Sequence, residues 1–139
     1  MSARMRPELS EKNKYRLNKH RHYELKHFCL QYPLWKQLYS EFDDPSYPLS
    51  MIEWAPTSNL SGDPTAKRAL MKAYYSERIE LIDRVARDVD PYLWDYIVKG
   101  VTESLSYTYL KTKLGIPCSR DVYYKLYRRF FWLLDKARE

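Results

Sequence analysis

Proline positions divide this chain into segments before any other property is considered. Proline lacks an amide hydrogen and fixes φ, so inside a helix it is tolerated only in the first turn. Pro33, the group Pro45, Pro48, Pro56 and Pro64, then Pro91 and Pro117 therefore set the limits of regular structure. Asp63-Pro64 and Asp90-Pro91 each pair an N-cap acceptor with a residue suited to the first helical position. From Pro64 a helix is predicted to about Asp88, because Tyr75, Ile79, Ile82, Ala86 and Val89 recur at spacings of four and three. Leu70, Tyr74, Leu81 and Val85 widen that stripe enough to cover a core or to pair two copies of the chain in a homodimer.

The other segments read the same way. A first helix is predicted from Ser10 to Gln31, ended by Pro33, with an irregular stripe of Tyr15, His22 or Tyr23, and Phe28. Leu34–Phe42 makes a short second helix carrying Trp35, Leu38 and Tyr39. Residues 43–64 hold four prolines and form a linker or wrapped loop, whose Met51, Ile52 and Trp54 should dock on the helices. After Asp90-Pro91 a helix through Leu93, Trp94, Ile97 and Val98 is expected to end at Gly100. No strand pattern emerges, and only 3 Gly argue against barrels, sandwiches and Gly-rich phosphate loops. The expected fold is all-α. Residues 1–62 carry N-terminal helices and a Pro-rich loop, and 63–139 form a helical domain ending in a helix-turn-helix at about 105–135.

Charge and chemistry narrow the function. The formal charge is +6 and the pI about 9.2, with basic ends and an acidic middle (Glu41, Asp43, Asp44, Glu53, Asp63). Any polyanion should meet the ends. His20, His22, His27 and Cys29 fall close together but do not converge on one helix face, so no metal is expected. The loop acids lack a partnered histidine, and no Ser-His-Asp order, Walker loop or carboxylate metal signature appears, so no enzyme and no cofactor are expected. Cys29 and Cys118 form no CxxC pair and suit a reducing compartment. The chain lacks a long apolar run, so a cytoplasmic protein without membrane contact is expected.

The chemistry concentrates in LSYTYLKTKLGIPCSRDVYYKLYRRFFWLL, residues 105–134. Ser106 caps a helix of about Tyr107–Leu114 with Leu110 and Leu114 inward. Gly115 supplies the positive φ of a sharp exit, Ile116 inserts between helices, and Pro117 stops continuation. Ser119 caps the next helix, and Asp121 in its first turn favours the dipole. Two buried lines are predicted: Val122, Leu126, Phe130 and Leu133, and beside it Tyr123, Tyr127, Phe130 and Leu134. Arg120, Asp121, Tyr124, Lys125 and Arg128 are left toward solvent, where the N-terminal half of a recognition helix meets DNA. Arg120 suits a bidentate contact to guanine. Lys125, Arg128 and Arg129 suit phosphates, and Tyr107, Tyr109, Lys111 and Lys113 suit the flanking backbone.

This stretch resembles the C-terminal helix-turn-helix of phage late-transcription regulators of the RinA and ArpU type, themselves similar to region 4 of bacterial sigma factors. The likeness lies in the LG-I turn, in SRDVYY opening the second helix, and in the basic-aromatic run ending in paired leucines. It covers about 30–40 residues, and the span Ile116-Pro117-Cys118-Ser119 is one residue longer than the usual turn. The resemblance implies activation of late phage genes, with Ser119, Arg120, Tyr124, Lys125 and Arg128 at DNA-facing positions and RNA polymerase as a further partner. The expected function is a double-stranded-DNA-binding phage or prophage regulator. The alternatives are a small terminase subunit and a helical protein–protein adaptor.

Overall fold

The computed structural model describes residues 15–47 and 63–138. Among them the chain is helical, without strands: α1 (Lys19–Leu30), α2 (Tyr32–Asp43), α3 (Pro64–Val89), α4 (Trp94–Glu103), α5 (Tyr107–Leu114) and α6 (Arg120–Ala137). No helix of the described residues is long and apolar enough to cross a membrane. The expected docking of Met51, Ile52 and Trp54 lies outside the described residues.

The packing groups these helices into two compact units. One comprises Met1–Gln31 and Leu81–Glu139, the other Tyr32–Glu80. Helix α3 contributes residues to both.

In the Tyr32–Glu80 unit, Trp35, Phe42, Met71 and Tyr75 are buried. The Phe42 and Tyr75 rings stack at 6.0 Å, and Tyr47 meets Phe42 edge-on at 5.8 Å. Asp63 caps α3 as its position before Pro64 predicts, its carboxylate accepting from the Thr65 and Ala66 amides at 3.0 and 3.4 Å. Lys72 Nζ reaches the Asp43 carboxylate at 2.7 Å, and the Arg68 guanidinium donates to the Asp44 and Tyr47 carbonyls. The Ser46 amide and hydroxyl hold the Asp44 carboxyl below its ordinary range. The stripe predicted for α3 is buried at Tyr75, Ile82, Ala86 and Val89 and half-buried at Ile79, while Leu70 is exposed.

In the other unit, α1 packs on α4 and α6, and α4 also packs on α5. Helix α1 starts at Lys19, later than the expected Ser10. Tyr15–Asn18 are non-helical, and the Asn18 side chain accepts from the His20 and Arg21 amides at 2.9 and 3.4 Å. Its inward face is His22, Leu25, Phe28 and Cys29, with His22 edge-on to Phe131 at 5.0 Å. Pro33 stands in the first turn of α2, so it opens the second helix after the single break at Gln31.

Gly100 does not end α4. The helix continues to Glu103, and Ser104 (φ 56°, ψ 43°) takes the left-handed capping conformation. The Ser104 and Leu105 amides both donate to the Gly100 carbonyl. Gly100 is buried for a different reason: a Cβ there would collide with Tyr123 Oη and lie 3.4 Å from Leu110 Cδ1. Its missing side chain lets Tyr123 of α6 lie directly against the α4 backbone. Tyr123 is 1% exposed and wedged among the rings of Tyr107, Tyr124 and Tyr127 at 5.2–6.1 Å, so it has little room to yield.

Gly100→Ala should therefore destabilise the fold by about 1–3 kcal/mol, the usual cost of overpacking, although alanine is the better helix former. Tyr123→Phe removes a buried hydroxyl that has no hydrogen-bond partner among the described residues, and should be neutral or stabilising. It should also recover most of the Gly100→Ala loss. Urea denaturation of the two single variants and the double variant measures this coupling, and additive losses would mean the contact is not the cause.

Candidate nucleic-acid interface

The local folding of residues 105–138 follows from three caps. Ser106 Oγ accepts from the Tyr109 amide at 3.1 Å and starts α5. Gly115, at φ 69° and ψ 35°, ends it, and the Gly115 and Ile116 amides both turn back to the Leu110 carbonyl. Ser119 Oγ accepts from the Val122 amide at 3.3 Å and starts α6, with Asp121 in its first turn. Ile116 is fully buried and joins Tyr107, Leu110 and Tyr123 in one apolar cluster, with Leu93, Tyr96, Leu105, Cys118, Tyr124 and Tyr127 around it. The turn is thus anchored by its own apolar residue.

Of the two lines expected to be buried on α6, one is: Tyr123, Phe130 and Leu134 are buried and Tyr127 half-buried. The other is displaced. Val122 is 45% exposed, Leu126 and Leu133 are half-buried, and Phe131 takes the inward place. The helix is rotated toward its Tyr123–Phe131 side because Gly100 admits Tyr123 and α1 presents His22 to Phe131. Leu114, expected inward, is 39% exposed on the last turn of α5.

The candidate contact residues separate into three groups. Ser119, Arg120, Asp121, Lys125 and Arg129 are exposed over the first three turns of α6, and Lys111 and Lys113 are exposed on α5. Arg128 and Tyr124 are half-buried. Tyr124 leans on Tyr123 and Tyr127 at 5.2 and 5.9 Å and belongs to the cluster's rim rather than to open solvent. Tyr107, expected to face the flanking backbone, is buried, and its hydroxyl donates to the Cys118 carbonyl.

Two cations are engaged within the motif. Lys111 Nζ donates to the Ile116 carbonyl at 3.3 Å, tying α5 to the turn. Arg120 Nη2 donates to Thr108 Oγ1 at 3.1 Å, and its guanidinium lies 5.2 Å from the centre of the Tyr107 ring. The Lys111 contact is local to α5 and its turn, whereas the Arg120 contacts depend on how α6 crosses α5 and are not legible from spacing. Elsewhere in this unit Arg21 bonds Asp135 at 2.6 Å, Arg138 lies over Phe28 at 3.6 Å and Lys136 over Trp132 at 4.3 Å. Arg21 and Arg138 join α1 to the end of α6, while the Lys136 contact lies within α6. Among the described residues no group of three or more His, Cys, Asp or Glu is arranged to hold a metal.

No protein-family model, curated protein or solved structure matches this chain.

The two glycines of this unit should respond differently to alanine. A methyl group at Gly115 would meet nothing within 4 Å, so Gly115→Ala costs only its left-handed backbone, about 1–2 kcal/mol. No change at Tyr123 should recover that loss. Ser119→Ala should cost about 1 kcal/mol through the lost cap. Burial raises both thiols, Cys29 to the greater extent, and Cys29 is fully buried while Cys118 is only partly so. A thiol reagent at mildly alkaline pH should label Cys118 first and Cys29 only on unfolding, as mass spectrometry of the timed products would establish.

Proposed function

We propose that this chain binds double-stranded DNA through α5 and α6 acting as a helix-turn-helix, and that it regulates transcription of phage or prophage late genes. The observation that carries the DNA reading is the division of α6 into two faces. One face packs Tyr123, Phe130, Phe131 and Leu134 into the core. The other leaves Lys125 and Arg129 exposed, while Arg120, in line with the buried residues, is exposed at the first position of this capped helix, and Lys113 is exposed at the end of α5. A helix supported from behind, with its N-terminal turns basic and uncovered, has what is needed to enter a major groove. Lys113, Lys125 and Arg129 supply phosphate contacts, and Arg120 supplies a base contact. The role in late transcription rests on the resemblance of residues 105–134 to regulators of the RinA and ArpU type, with RNA polymerase as the second partner.

Binding should weaken steeply with salt, the logarithmic slope counting about 0.9 per phosphate contacted. Lys125→Ala and Arg129→Ala should each lower affinity for every duplex alike and reduce that slope by about one contact. Arg120→Ala should cost about 1–3 kcal/mol on the preferred duplex and relax its sequence preference. Fluorescence anisotropy with a duplex selected from a randomised pool measures all three. Failure of the chain to bind any duplex at moderate salt would overturn the proposal, and a closed multi-subunit ring in solution would overturn the regulatory role.

A further inference from the structure

We propose that Thr108 is a positioning residue that, together with the Tyr107 ring, holds the Arg120 guanidinium ready to read a guanine. The inference rests on the DNA-binding reading and goes beyond it, because neither α5 residue would itself touch a base.

Arginine at a helix start is ordinarily a mobile cation whose ordering must be offset when it binds. Arg120 is different. It is the first residue of α6, yet its Nη2 donates to Thr108 Oγ1 on α5 at 3.1 Å. Its guanidinium carbon lies 5.2 Å from the centre of the Tyr107 ring, within cation–π range. The ring is itself fixed, by its hydroxyl on the Cys118 carbonyl and by the Tyr123 ring 6.0 Å away. Tyr123 in turn is seated on Gly100. A continuous set of packed groups therefore runs from the α4 backbone to the Arg120 head group.

The hydrogen bond to Thr108 uses one of five guanidinium N–H donors, and the rest remain for the O6 and N7 acceptors of guanine. No carboxylate pairs with Arg120 among the described residues, so its charge is not already neutralised. The Thr108 hydroxyl can accept from Arg120 while the residue stays exposed on the second position of α5. Such a buttress lowers the ordering cost of a bidentate contact and fixes its direction, as supporting hydrogen bonds do for other binding groups.

The test uses the full chain, the best duplex from a randomised pool, and the same duplex with single guanines replaced by 7-deazaguanine, which lacks the N7 acceptor. The parent should lose affinity at one guanine, and Arg120→Ala should be indifferent to that replacement. Thr108→Val, which keeps the shape and removes the hydroxyl, should reduce discrimination at that same guanine by about 2- to 12-fold, the size of one net hydrogen bond. Its affinity for an unrelated duplex and its thermal midpoint should stay as in the parent. Thr108→Ser should restore discrimination. Unchanged discrimination in Thr108→Val, or an equal loss on all duplexes, overturns the positioning role while the DNA-binding proposal stands. If the parent binds DNA but ignores every 7-deazaguanine, Arg120 does not read guanine and the inference falls. If the parent binds no duplex, both proposals fall together.

Discussion

The unit formed by Met1–Gln31 and Leu81–Glu139 depends on the absence of a side chain at Gly100. Because no Cβ stands there, the Tyr123 phenol rests on the α4 backbone, and α6 is drawn against α4 on its Tyr123–Phe131 side. The rest follows from that orientation. Tyr107 meets the Tyr123 ring and fastens the turn through Cys118, and Ile116 fills the space between α5 and the other helices. Val122 is turned outward with Arg120, Asp121 and Lys125. The contact leaves the Tyr123 hydroxyl buried without a partner among the described residues, which costs stability, and burial pushes that phenol far above its ordinary range. Tight helix approach offsets this cost through the apolar area it removes from water.

Several of the 24 Lys and Arg residues behind the formal charge of +6 are engaged within the fold. Arg21 and Arg138 serve the packing of α1 and α6, and Lys111 ties the turn. In the Tyr32–Glu80 unit Arg68 and Lys72 are engaged by the end of α2 and the chain just after it. The exposed cations of α5 and α6 form a smaller set, and in the proposed DNA complex their value lies in placement rather than number. A cation whose orientation is fixed by neighbours contributes to recognition, whereas a freely moving one contributes mainly to non-specific attraction.

Much of the architecture is legible in the chain because it is written in local chemistry. Asp63, Ser106, Gly115 and Ser119 act within two to five residues of themselves, and each stands where its spacing predicts. The α3 stripe is legible because its period is that of a helix. The features that pattern alone misplaces have a common cause. The stripe of the first helix leaves the choice between His22 and Tyr23 open, which packing decides for His22, and Asn18 is hidden inside an apparently continuous helix from Ser10. Glycine commonly ends helices, so the pattern puts a terminus at Gly100, whose role lies in contact with a residue 23 positions away. Tyr124 and Tyr107 pass for surface groups because tyrosine suits either environment.

From the order of residues alone it follows that the chain is helical, where the turn between α5 and α6 falls, and which segment joins basic to aromatic residues. Prolines, caps and periodicity act over a few residues, so no knowledge of the fold is needed to read them. Packing between helices settled the remainder: which face of α6 is exposed, which cations are held inward, and that Arg120 stands between Thr108 and Tyr107. Several faces of so aromatic a helix are apolar enough to be buried. The choice among them was made by the empty side of Gly100, a fact about two helices at once.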